Sequence, residues 1–125
     1  MTTPEELERR HTLATAVARL QDLRLREALE GSDALTAAEA LELLGLGEVV
    51  IRKVGYGRQL TVRSARAGGA SWSQIGCALG TSKQAAWEAH TRWIDALEAL
   101  AGRDALGLDQ AEAAQARRLA GDADA

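Results

Sequence analysis

The 125-residue chain has no phenylalanine, one proline and one cysteine, and aromatic residues make up only 3% of it. A single cysteine excludes an internal disulfide, and Cys77 is expected to pack as a small core residue. No stretch approaches the ~18 consecutive apolar residues that a membrane-spanning helix needs. The opening residues, MTTPEELERR, carry no apolar signal core, so a cytoplasmic protein is expected. Two histidines, one cysteine and scattered carboxylates form no catalytic or metal-ligand spacing. Ser71 and Ser73 lack the surroundings of a nucleophile. The Gly55-Tyr56-Gly57 stretch lacks the lysine and hydroxyl of a phosphate loop. No enzyme, metal or cofactor is therefore expected.

What is abundant is alanine and leucine, with arginine and glutamate beside them, which is a helical composition. The length suits one modest domain, or one domain plus arms. Net charge is -3, but it is unevenly placed. Residues 1–49 hold five basic and ten acidic groups, residues 50–92 hold seven and one, and residues 93–125 hold three and seven. The basic middle block offers an attractive field for phosphate, and the acidic flanks limit non-specific binding.

That basic block contains the most informative run, WSQIGCALGTSKQAAWEAHTRW, Trp72 to Trp93. Ile75, Cys77, Ala78 and Leu79 fall in one short helical pattern. Ala85, Ala86, Ala89 and Trp93 recur at helical spacing in a second. Gly80 breaks the pattern, since glycine tolerates a left-handed turn. Thr81 or Ser82 can then cap the second helix. The reading is helix, tight turn, helix. Gly76 stands where a side chain would obstruct the crossing, and Ala86 lies on the inner side. The stretch resembles the helix-turn-helix of small bacterial transcription regulators, in which a small residue, a turn glycine four later and an apolar residue six after that recur. Gly76, Gly80 and Ala86 match that spacing, and Ile75, Leu79 and Ala89 match its buried positions. It is also similar to a version common in actinobacterial regulators and in region-four-like sigma-factor modules. The resemblance covers roughly a fifth of the chain. Cys77 and Ala89 are less bulky than the usual packing residues, so the core is expected to lean on Trp72 and Trp93.

Elsewhere, Thr3 and Pro4 open a helix expected to run unbroken to about Glu30, with Leu13, Val17 and Leu20 as its apolar stripe. Thr36 and Glu39 form a capping-box pattern for a second helix. Its apolar spacing is Leu35, Ala38, Leu41 and Leu44, and Gly45 and Gly47 are expected to end it. Residues 48–62 are ambiguous between a hairpin turning at Gly55–Gly57 and a helix reaching 67; helical spacing favours the helix. Asp109 and Glu112 make another cap, followed by an alanine-rich helix with a poor apolar face. The final GDADA is expected to be disordered.

The expected architecture is all-α: a helix-turn-helix, a long N-terminal helix and dimerisation arms. Residues 1–47 would form a packing and dimerisation region, 48–101 the DNA-binding core, and 102–125 a partly disordered arm. Helix-turn-helix docking puts the start of the second helix in the major groove. Base contacts are then expected from Lys83, Gln84, Trp87, Glu88 and Thr91. Phosphate contacts are expected from Ser71, Ser73, Gln74, Ser82, Arg63, Arg66 and Arg92. His90 is expected as a satisfied, partly buried group. The favoured function is sequence-specific binding of double-stranded DNA by a homodimeric transcriptional regulator, with RNA polymerase or a sigma factor as a further contact. Alternatives are a sigma-factor-like adaptor without DNA contact and a DNA-binding sensor whose tryptophans line a small-molecule pocket.

Overall fold

A computed structural model describes residues 2–101 and 107–125. Among the described residues all regular structure is helical: α1 Pro4–Arg10, α2 Leu13–Glu27, α3 Ala37–Tyr56, α4 Arg58–Ala67, α5 Trp72–Leu79, α6 Lys83–Leu100 and α7 Gln110–Ala120, with a short 3-10 turn at Gly31–Asp33. They form two compact units, Met1–Gly57 and Arg58–Ala125. The expected boundary at 47/48 therefore falls inside α3.

In the first unit α1 and α2 both pack on α3. The expected single helix from Pro4 to Glu30 is interrupted at His11 and Thr12. Thr12 supplies the reason: its hydroxyl accepts from the Thr15 amide and the Thr15 hydroxyl accepts from the Thr12 amide, which starts a new helix. The buried face of α2 is Ala16 and Leu23, with Leu20 beside them, rather than the Leu13–Val17–Leu20 stripe; Leu13 is exposed.

Thr36 and Glu39 do form the anticipated capping box. The helix they open passes through Gly45 and Gly47 and ends at Tyr56. Residues 48–56 are thus helical, and the Gly57 break separates them from α4. Gly45 is kept bare by a neighbour: a Cβ there would lie 2.7 Å from Leu7 Cδ1. Leu43, Leu46 and Val49 close the core on Leu7, Ala16 and Leu23. Burying each such side chain contributes about 1.5–3 kcal/mol. Leu41 and Leu44, expected to face inward, are exposed. Arg19 clamps Glu42 through two hydrogen bonds of 2.9 and 3.0 Å, and Arg26 clamps Glu39.

In the second unit Val62, Trp72, Ile75, Ala86, Ile94, Leu108, Ala113, Ala116 and Ala120 form one core. The alanine face of α7, poor as it is, packs against α6 and α4. Small side chains let the helices approach closely. Arg117 ties α7 to α6 by binding Asp95 at 2.7 Å and Glu98 at 3.1 Å. The expected disorder of the last residues is corrected as well: Gly121–Ala125 are placed, turned by Asp122, whose carboxylate accepts from the amides of Asp124 and Ala125. Part of the expected loose segment, residues 102–106, lies outside the described residues. No described helix is long and apolar enough to cross a membrane.

Candidate nucleic-acid interface

The candidate site is built on α5, the three residues Gly80–Ser82, and α6. Ser71 caps α5 reciprocally with Gln74: the Ser71 hydroxyl accepts from the Gln74 backbone N–H at 3.1 Å, and the Gln74 side-chain Oε1 accepts from the Ser71 backbone N–H at 2.8 Å. Gly80 ends α5 at φ +71°, where an L side chain would be strained. Its amide and that of Thr81 satisfy carbonyls of Cys77 and Gly76. Ser82 caps α6 by accepting from the Ala85 amide at 3.0 Å. Gly76 sets how closely the pieces meet. A Cβ there would lie 2.8 Å from Thr81 O and 3.0 Å from Lys83 N, both backbone atoms.

Trp72, Ile75 and Gly76 are the buried residues of α5, with Leu79 half-buried one turn on. This spacing of three and four leaves Cys77 outside the stripe, and its thiol is exposed, contrary to the expected core role. Ala86, His90 and Ile94 are the buried stripe of α6. Trp72 is fully buried as expected, while Ala89 and Trp93 are only half-buried. His90 is held between Trp72 and Trp93, with ring centroids 5.5 and 5.3 Å away, and its Nδ1 meets Gln59 Oε1 at 2.8 Å. Burial, then the nearby positive charges of Arg63 and Arg66, push its pKa below the ordinary value.

The outer side of α6 presents Lys83, Gln84, Glu88 and Arg92, all exposed, with Thr91 half-buried at its edge. These side chains are brought together as the sequence suggested, but Lys83, Gln84, Glu88 and Thr91 all have partners. Lys83 Nζ binds Asp124 Oδ1 at 2.7 Å, Gln84 Nε2 donates to Glu88 Oε1 at 2.9 Å, and the Thr91 hydroxyl donates to the Glu88 carbonyl. The Lys83 ammonium holds the Asp124 carboxyl below the usual carboxylate range.

Two expected contacts turn inward. Trp87 is half-buried against the core, and its indole N–H donates to the Gly121 carbonyl at 2.8 Å. Arg66 donates to the carbonyls of Leu119 and Ala70, and its guanidinium lies 5.3 Å from the centre of a Trp72 ring. Arg66 therefore clamps α4 to α7 instead of offering its charge to phosphate. The Trp72 indole N–H likewise donates to Ala120 O at 2.7 Å. Arg63 lines an open groove with Ala67, Gln115, Arg118 and Leu119. Ser73 is exposed on α5. The segment Leu119–Asp124 is the part of the site that sequence reasoning missed; its only signal was the acidic pair Asp122 and Asp124.

Among the described residues no cluster of histidine, cysteine and carboxylates could hold a metal ion. No family model matches the chain, and no curated protein or solved structure gives a match.

Proposed function

We propose that this chain is a cytoplasmic transcriptional regulator that binds duplex DNA sequence-specifically as a homodimer, with α5 and α6 as its helix-turn-helix. The observation that carries the reading is the pairing of two features on α6. Its inner face closes on α5 over Gly76, and its first two turns hold exposed Lys83, Gln84 and Glu88. A helix held this way can enter a major groove by its N-terminal end. Gln84 suits adenine through two hydrogen bonds, and Lys83 suits guanine or phosphate. Ser73, the Gln74 amide, Ser82, Arg92 and Arg63 are the backbone contacts. Glu88 must release Gln84 when DNA arrives, and Asp124 must release Lys83.

Those same two pairs favour one second reading, an adaptor that contacts RNA polymerase or a sigma factor and not DNA. Substitution separates the two. Gln84→Ala should cost about 1–3 kcal/mol of discrimination between sites, the worth of one good base contact, with little loss on unrelated duplexes. Arg92→Ala should weaken every duplex and reduce the salt slope by about one. Absence of duplex binding by the unaltered protein, even in dilute salt, would sink the regulator and leave the adaptor.

A further inference from the structure

Within the first unit, no described residue covers the face of α3 opposite the core. Leu41, Leu44 and Ile51 on it are 60%, 70% and 69% exposed. Read along the helix, Ala37, Leu41, Leu44, Glu48, Ile51 and Gly55 are spaced alternately by four and three residues. This is the spacing found along coiled-coil seams, in which such positions return to one face every seven residues. The inward residues Leu43, Leu46 and Val49 make a separate stripe, so α3 is apolar on two sides.

A groove runs along each side of the seam. One is lined by residues including Arg24, Ala40, Leu44, Gly47, Glu48 and Ile51. The other includes Pro4, Ala38, Leu41, Leu44, Gly45 and Glu48. A ridge flanked by two grooves of this kind is complementary to a copy of itself. We infer that the α3 face binds a second copy of this chain, with the two α3 helices antiparallel about a two-fold axis near residue 46.

Orientation follows from charge. A parallel pair would set Glu48 against Glu48 in an apolar seam, where like charges repel. The antiparallel pair sets Glu48 beside Leu44 of the other copy, which removes that repulsion. Leu41 then meets Ile51, and Ala37 meets Gly55. The exposed area is substantial. The three large side chains bare on the order of 400 Å² per copy, already near the largest apolar patch typical of a monomer. Two such ridges supply about 800 Å², and the groove walls would have to supply the rest of the ~1,200 Å² at which specific interfaces begin. The inference supplies a surface for the homodimer proposed above, and it rests on that part of the proposal only.

The test is the mass of the full chain in solution, by sedimentation or light scattering across about 1–100 µM, read without DNA. The unaltered protein should have twice the monomer mass. Leu44→Glu should halve it while the helical circular dichroism is kept, because Leu44 is not in the core. Leu60→Glu, on α4, should leave the mass doubled. Arg24→Glu should weaken the dimer at least tenfold, and Arg24→Glu with Glu48→Arg should restore it. A monomer at every concentration, or a Leu44→Glu protein that stays dimeric, overturns the inference. Mass is read apart from duplex binding, so a dimer that binds no DNA would refute the regulator and not this surface.

Discussion

Replacing Gly76 by alanine is the sharpest test of how α5 meets α6. The added Cβ would come within 2.8 Å of Thr81 O and 3.0 Å of both Lys83 N and Ser82 C. All three are backbone atoms, so no rotamer change relieves the contact; the turn must shift. Overpacking of this kind costs about 1–3 kcal/mol. Alanine recovers up to about 1 kcal/mol of helix propensity over glycine. A net loss on the order of 1–2 kcal/mol remains. In a unit of this size that lowers the melting temperature by roughly 5–15 °C. Two other glycines isolate the cause. At Gly80 nothing lies within 4 Å of a Cβ, but φ is +71°. Gly80→Ala should therefore cost about 1–2 kcal/mol from backbone strain alone. At Gly55 neither condition applies, and Gly55→Ala should stabilise the first unit by about 0.4–1 kcal/mol. Thermal unfolding followed by tryptophan fluorescence reports on the second unit, which holds all three tryptophans. An unchanged or raised melting temperature for Gly76→Ala would refute the close approach.

Three further expectations follow from the same contacts. Asp122→Asn with Asp124→Asn should free Lys83, raising affinity for all duplexes several-fold and steepening the salt dependence by about one phosphate; equal anisotropy curves for the two proteins would remove the acidic segment from the interface. His90 has a depressed pKa in the folded chain, so the unfolded chain takes up its proton first. The second unit should hold its stability above pH 6.5 and lose it as pH falls below that value, and a flat profile from pH 8 to 5 would contradict the buried neutral ring. Glu39 is held at about 2 by the Arg26 guanidinium and the Thr36 amide, so its contribution should be intact above pH 4.5 and fade as pH falls towards 2. Glu39→Gln should flatten the acid side of the urea midpoint for the first unit, and an unaltered acid limb would speak against the clamp.

Local chemistry was the legible part of the sequence. The caps at Thr3, Thr36, Ser71, Ser82 and Asp109 are each written within four residues, and so is the Gly80 turn. The Thr12 cap is equally local, yet it stands in a run with no glycine or proline to draw notice. Facing was less legible. α3 carries Leu41, Leu44 and Ile51 on one side and Leu43, Leu46 and Val49 on another, and only docking against α1 and α2 decides which is core. The fates of Arg66 and Trp87 depend on carbonyls at Leu119 and Gly121, more than thirty residues away. No spacing in the sequence announces them. The weak apolar face of α7 hid its role as well, since its hold on α6 and α4 combines small alanines with the Arg117 and Arg66 clamps.

The most direct measurement of the central claim is selection of genomic DNA fragments by the purified protein at low and at moderate salt. The account predicts enrichment of one sequence with two mirrored halves about one helical turn apart, and an affinity that falls steeply as salt rises. Recovery of no common sequence, with retention that ignores salt, would contradict it.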